Sequence, residues 1–318
     1  MSNLSEQEIV RREKLKKLIE MGINPFPADL FPIKNNSQEI KENFEQDKEV
    51  VIAGRIMSRR IQGNASFAEI QDNFGRIQLY LNRDEICPGE DKTLYNEVYK
   101  KLLDIGDIIG VEGKLFKTKV GEKTVLVNKF TILNKSIKPL PLPKVDAEGN
   151  TYDEFNDPEQ RYRQRYVDLI VNPGVKETFI KRTKIINSIR SFLNDKDYLE
   201  VETPILQPIP GGAAARPFLT HHNALNIPLY LRIANELYLK MLIVGGFDGV
   251  YEFAKDFRNE GMDRSHNPEF TMLEFYVAYK DYFWMMETTE QLLEKVAIES
   301  SGSSKIKYGE HTIEYKAP

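Results

Sequence analysis

The segment Gly249–Asp281, GVYEFAKDFRNEGMDRSHNPEFTMLEFYVAYKD, holds the densest set of chemically useful side chains in the sequence. Two apolar-alternating runs flank a polar loop from Asn259 to Pro268, longer than a minimal turn, which predicts a functional hairpin. Period-two geometry puts Phe270, Met272, Glu274 and Tyr276 on one face of the return strand. On the outgoing strand Glu252, Ala254, Asp256 and Arg258 share a face. One surface thus gathers a planar cation suited to phosphate or carboxylate (Arg258), an aromatic plate (Phe270) and a carboxylate among apolar neighbours (Glu274). A half-buried carboxylate needs a charged partner, so Glu274 either meets a cationic ligand or pairs with an internal arginine. Upstream, Glu236 opens ELYLK, where an acid in a first helical turn is favoured by the helix dipole alone.

Elements that position these residues can be read around them. Phe179–Leu206, FIKRTKIINSIRSFLNDKDYLEVETPIL, predicts a long helix with Phe179, Ile186, Ile189 and Leu193 on one stripe. A turn at Asn194–Asp197 then leads into a strand in which Leu199, Val201 and Ile205 share a face. Pro204 donates no ladder hydrogen bond, which predicts an edge or subunit boundary there. From Glu49 to Ile137 the pattern is one of short alternating strands punctuated by glycines, with a helical insertion between Asp84 and Leu103. Five strands with one helix between the third and fourth outline an OB barrel, whose sheet face can stack single-stranded bases. Ahead of it, Ser5 and Glu8 have capping-box spacing and Gly22 closes a helix. Its Arg11, Arg12, Lys14, Lys16 and Lys17 could meet phosphates or form a solvated face. Pro139, Pro141, Pro143 and the polar run Asp146–Asp157 read as a linker. The expected organisation is α+β: a helical extension at 1–48, the barrel at 49–140, the linker at 141–157 and a second domain, an antiparallel sheet flanked by helices, at 158–318.

Other motifs carry less. Adjacent His221 and His222 point to opposite faces of a strand and make a poor metal pair. Gly211-Gly212 and Gly245-Gly246 lack the strand–glycine–helix context of dinucleotide binding. Trp284 and the aromatics near it, Tyr276, Tyr279, Tyr282 and Phe283, default to core. Cys87, the single cysteine, excludes an internal disulfide and reads as a buried or loop residue.

The run Phe253–Glu274, with FRNEG, HNPEF and the following Glu-x-Tyr, resembles motif 2 of the class II aminoacyl-tRNA synthetases. Phe179–Leu206 resembles motif 1, ending in that family's dimer-interface proline at Pro204. RYRQRYVDLI, PGGAAARPF, THHNAL, ELYLK, RREKL and SFAEIQDNFGRIQ bring the likeness closest to the lysyl-tRNA synthetases, over essentially the whole chain. The resemblance implies that an amino-acid carboxylate attacks the α-phosphate of ATP, and that the adenylate passes its acyl group to the tRNA 3′ end. No protein nucleophile is needed; positioning and charge neutralisation suffice. Arg258 is then expected to hold the α-phosphate and substrate carboxylate, Glu260 to face the adenine amino group and Phe270 to stack on the purine. His266 and Asn267 are expected at the phosphates or adenine edge. Glu236 and Glu274 match the lysine-binding carboxylates, with Tyr276 adding a hydroxyl and Gly212 keeping the backbone close. In the barrel, Phe67 matches an aromatic that stacks on an anticodon base, beside Arg60 and Gln78; a core-facing Phe67 is the alternative.

Composition agrees with these expectations. The 318 residues suffice for two domains, 41% are hydrophobic, and the net charge of −4 opposes uniform nucleic-acid binding. Val51–Leu140 nevertheless holds fifteen Lys and Arg against eleven Asp and Glu, a mildly basic module suited to holding RNA in one place. No apolar run reaches membrane-spanning length and the charged start has no signal-peptide core. A cytoplasmic homodimer is expected, with ATP, lysine and tRNA(Lys) as partners and neither DNA nor membrane. The resembled family continues through a third motif and Mg2+ ligands, whereas this sequence stops at Pro318 on a strand-like YGEHTIEYKAP. The expectation is a fragment, inactive alone. Lys255 and Asn235 stand where the family often has Arg and Pro. The competing expectations are an aspartate or asparagine ligase, disfavoured by the two acids, and a non-catalytic tRNA-binding derivative.

Overall fold

The computed structural model describes residues 4–145, 148, 151–152 and 154–316 and forms two compact units, Met1–Asn172 and Pro173–Pro318. The linker positions 146–147, 149–150 and 153, and the last two residues, lie outside the described residues.

In the first unit a closed barrel has the strand order β1-β2-β3-β5-β4. Its strands are β1 (Glu49–Gln62), β2 (Ala65–Gln71), β3 (Arg76–Asn82), β4 (Ile108–Lys117) and β5 (Lys123–Asn134). Between β3 and β4 come α3 (Arg83–Ile86) and a wide π-type helix, Leu94–Leu102. Period-two alternation puts Ile52, Ile56, Ala68, Ile70, Leu79, Leu81, Val111 and Val125 inside. At the β4–β5 bulge a Cβ on Gly113 would lie 2.1 Å from the Leu126 carbonyl oxygen, so only glycine lets the strands approach there.

Helix α1 (Glu6–Glu20) starts at Ser5 with the anticipated reciprocal capping box to Glu8. Not all of its basic residues are available to phosphates. Arg11 is buried, its guanidinium donating to the carbonyls of Ile105 and Ser136, and Lys14 pairs with Asp104. Distant carbonyls claim Arg11 because a buried guanidinium must satisfy its donors, and a distant carboxylate claims Lys14. Short helices follow at α2 (Ser37–Glu42), α4 (Pro158–Arg163) and α5 (Arg165–Val171), with a two-residue ribbon of β6 (Lys144–Val145) and β7 (Thr151–Tyr152). Buried Asp168 on α5 receives Arg161 and Arg165.

The second unit is built around the hairpin β12 (Gly249–Phe257) and β13 (Glu269–Val277). Tyr251, Phe253, Leu273, Phe275 and Val277 pack on one side with Phe192 and Leu193 of α6 (Val175–Asn194) and with Trp284 and Leu292 of α8 (Tyr282–Ser301). The opposite face holds the polar residues and faces α7 (Glu236–Val244). A second small sheet joins β9 (Leu206–Gln207), β11 (Ile227–Leu231) and β10 (Leu219–His222), and β14 (Lys305–Tyr308) pairs with β15 (His311–Glu314).

Three expectations need correction. The strand foreseen from Leu199 through Ile205 shrinks to β8 (Leu199–Glu200), paired parallel with β12; Pro204 lies in the following exposed loop. Thr203 explains the break, because its backbone N–H and hydroxyl turn toward the Glu252 carboxylate instead of a neighbouring strand. On α6 the packed residues are Ile189, Phe192 and Leu193, whereas Phe179 is exposed. Of the aromatics assigned to core by default, Trp284 packs there, but Tyr279, Tyr282 and Phe283 are exposed and Tyr276 joins the polar face.

Candidate active site and nucleic-acid face

The β12–β13 register sets Glu252 opposite Glu274, Ala254 opposite Met272 and Asp256 opposite Phe270. Directly opposed residues share a face, so the surface inferred from alternation exists. Arg258 extends the ladder through its N–H to the Pro268 carbonyl at 2.8 Å. Its guanidinium carbon stands 5.1 Å from the Phe270 ring centroid, a cation–π placement. Among the described residues the buried Arg258 Nε has no hydrogen-bond partner, a donor held ready for an acceptor.

A cavity of about 200 Å³ opens here, lined by Arg258, Glu260, Gly261, Ser265, His266, Asn267 and Phe270. All five nucleotide-contact candidates therefore meet at one place. Glu260 is steadied by the Arg216 backbone N–H at 3.2 Å. Asn267 donates to the Glu269 carbonyl at 2.6 Å. Asp263, which the sequence reading missed, accepts the backbone N–H groups of Ser265 and His266 and pairs with His266 Nδ1 at 2.8 Å. The Ser265 backbone N–H, then the imidazole and the His266 backbone N–H, hold its carboxyl below the usual carboxylate range.

The amine-side candidates stand next to one another too. Tyr276 donates its hydroxyl to Glu274 Oε2 at 2.9 Å. Burial, the hydrogen bond to Glu274 and the negative charges of Glu274 and Glu236 all raise the Tyr276 phenol. Glu236 opens α7, as expected, and holds Lys240 Nζ at 2.6 Å; that ammonium lies 5.8 Å from the Tyr276 ring. Gly212, at φ +87°, sits against this group: a Cβ there would lie 3.0 Å from Glu236 Cβ and 3.1 Å from Ala234 Cβ.

Beneath the site runs a buried ionic network that spacing did not single out. Arg232 reaches Glu252 at 2.8 Å and Asp256 at 3.3 Å, with all three buried. Glu252 also receives Thr203 and Asn235. The internal arginine is thus spent on Glu252, across the ladder from Glu274, and on Asp256. Arg232 Nε donates to the Lys255 carbonyl, and among the described residues neither Asp256 oxygen accepts a hydrogen bond. Burial pushes the Asp256 carboxyl up to about 6, helped by Glu274 and Glu252 and opposed by Arg232 and Arg258.

On the barrel, Phe67 is directly opposite Arg60 on β1 and Tyr80 on β3. Its neighbours Ser66 and Ala68 are the buried ones, so Phe67 belongs to the outer face. Gln78 lies two residues from Tyr80 on that face and donates to Thr124 Oγ1 at 2.9 Å. The ring contacts continue from Phe67 to Tyr80 at 5.1 Å and from Tyr80 to Phe116 at 5.8 Å. The sequence signal for this longer strip was that Phe67 and Tyr80 lie equally far from the tight β2–β3 turn.

Comparison with known proteins finds a match for each of two segments. Residues 157–317 match the family described as tRNA synthetases class II (D, K and N), and residues 50–133 match the OB-fold nucleic acid binding domain. A protein of Christiangramia forsetii named lysine–tRNA ligase is 70% identical over 318 residues, covering 100% of this chain and 56% of the relative. Proteins of the same name from Porphyromonas gingivalis and Azobacteroides pseudotrichonymphae are each 61% identical, covering 99% of this chain and 55% and 63% of their own lengths. The chain thus spans little more than half the length of these relatives. Its second unit and its barrel place it among the class II tRNA synthetases of the D, K and N group, and the chain belongs to that family.

Proposed function

We propose that this chain forms the anticodon-reading barrel and part of the amino-acid-activating site of a lysine–tRNA ligase. The observation that carries the reading is the convergence of Glu236, Glu274 and the Tyr276 hydroxyl beside a cleft in which Arg258 overlies Phe270. A substrate ammonium taken out of water recovers its desolvation cost only against carboxylates. An aspartate or asparagine site needs cations or amides in their place. The names of the relatives point the same way.

In this reading Arg258 bridges the α-phosphate and the lysine carboxylate, bringing the two reacting groups together and neutralising charge as the phosphorus becomes five-coordinate. Phe270 and Glu260 fix the adenine, and His266, oriented by Asp263, faces the phosphates with Asn267. Mg2+ belongs to the same proposal as the partner of the ATP phosphates. Among the described residues no group of three or more His, Cys, Asp or Glu is placed to hold it. The outer barrel face with Arg60, Phe67 and Gln78 would read the anticodon of tRNA(Lys). Exposed Pro204, with exposed Leu199, Ile205 and Leu206 around it, would meet a second copy in a homodimer. The enzyme would work in the cytoplasm; among the described residues no helix is long and apolar enough to cross a membrane.

ATP–pyrophosphate exchange on the full-length gene product tests the reading. Exchange should require lysine. Stimulation by aspartate or asparagine alone would reassign the substrate, and tRNA binding without any exchange would favour a non-catalytic derivative.

A further inference from the structure

We infer that Lys240 is a built-in stand-in for the substrate ammonium, setting the affinity of the amine pocket by competing for Glu236. The inference rests on the lysine-activating reading above and deepens it. Lys240 lies one helical turn after Glu236 on α7 and places Nζ 2.6 Å from Glu236 Oε1. The same ammonium stands 5.8 Å from the ring of Tyr276, whose hydroxyl bonds Glu274. A primary ammonium on a flexible chain therefore already contacts two of the groups proposed to recognise an ammonium group of lysine.

A Glu–Lys pair spaced i,i+4 is a common surface feature, and Glu236–Lys240 has the favoured order. What separates it from pairs such as Glu97–Lys101 is the third partner: the Tyr276 ring comes from β13 and belongs to the site. With the Lys240 side chain 56% exposed, its head group can leave Glu236 for water while the stem stays on the helix.

The competition has a calculable size. An exposed carboxylate–ammonium pair favours the closed arrangement by a factor of roughly 1.5 to 5. Displacing it lowers the apparent affinity of the incoming amine roughly two- to sixfold. The test is lysine-dependent ATP–pyrophosphate exchange by the full-length gene product, its Lys240→Met variant and its Lys240→Arg variant. The Met variant keeps the stem and removes the competing charge, so its KM for lysine should fall roughly two- to sixfold. Its KM for ATP and its kcat should move less. The Arg variant restores a cation beside Glu236 and Tyr276 and should return the lysine KM toward the parent value. An unchanged or raised lysine KM in the Met variant, with an active parent, overturns the role given to Lys240 and leaves the lysine reading intact. A parent that exchanges pyrophosphate without regard to lysine overturns both.

Discussion

At the residue scale the site turns on which carboxylates already have partners. Glu252 and Glu274 face each other across the hairpin, where like charges oppose one another. Glu252 is neutralised by Arg232 and bonded by Thr203 and Asn235, whereas Glu274 receives the Tyr276 hydroxyl. A neutral hydroxyl polarises toward a carboxylate but does not cancel its charge, which leaves Glu274 the acid able to meet a cationic ligand. Replacing Glu274 by Gln keeps the shape and removes that charge. Losing one member of a desolvated charge pair costs about 2–5 kcal/mol. At about 1.4 kcal/mol per tenfold, lysine use should weaken at least about 30-fold in the full-length gene product. The ATP KM should change far less, since Arg258, Glu260 and Phe270 are untouched. Michaelis constants for both substrates, taken beside the melting temperature, decide the matter. Joint loss of both substrates with a lowered melting temperature would make Glu274 structural.

At the scale of elements, much of the β12–β13 hairpin was legible. Odd positions carry Tyr251, Phe253, Leu273 and Phe275 to the helices, and even positions carry Glu252, Asp256, Phe270 and Glu274 to the site. Alternation is local information, and a hairpin register converts it directly into a surface. The α1 capping box was legible for the same reason. What escaped were interactions distant in sequence. Arg11 looked like a solvent-facing or phosphate-facing base, yet it serves carbonyls beyond position 100. Leu199–Ile205 had a strand's alternation, but Thr203 is recruited to Glu252 and pairing stops after Glu200. Lys240 gave no local sign of its second contact, because nothing near it in sequence brings Tyr276 to it.

Asp256 is the hairpin's costliest member, and its pH dependence follows from its burial. Its carboxyl is raised from an ordinary 3.8 to about 6, with Arg232, Glu252, Glu274 and Arg258 as the surrounding charges. A raised folded-state pKa means the native protein holds the proton more tightly than the unfolded chain. Stability from this group is therefore fully present below about pH 4 and is lost as pH rises through about 6. The displacement is of order 3 kcal/mol. Asp256→Asn is isosteric and uncharged, and Arg232 keeps Glu252, Thr203 and the Lys255 carbonyl. The variant should be more stable than the parent by about 1–3 kcal/mol at pH 7.5, with the difference vanishing near pH 4. Urea titrations of both proteins between these pH values measure it. A variant less stable at neutral pH would show that Arg232 requires this carboxylate as its partner.

At the scale of the whole molecule the two units differ in how completely they bury apolar surface. The barrel cluster runs from Leu18 and Ile40 through Ile132, and every member lies within the first unit. A smaller cluster of Phe155, Val167 and Val171 lies there as well. The second unit has a smaller buried cluster, formed by Phe192, Leu193, Tyr198, Tyr251 and Leu292. A self-contained core of this kind predicts that residues 1–172 fold cooperatively by themselves. Within that fragment the outer strip of Phe67, Tyr80 and Phe116 stays assembled, because its strands are closed into the barrel. Fragment 1–172 should therefore bind an anticodon stem-loop of tRNA(Lys), with affinity falling as salt rises, since lysines and arginines on the barrel displace counterions. Phe67→Ala should weaken that binding by about 1–3 kcal/mol through lost base stacking. It should disturb folding little, because the inward side chains of β2 are Ser66, Ala68 and Ile70. Titration at fixed salt, with the melting temperature of each fragment recorded alongside, separates the contributions. Equal affinity in variant and parent would remove Phe67 from the RNA face, and lost affinity accompanied by lost folding would show its ring to be part of the barrel's support.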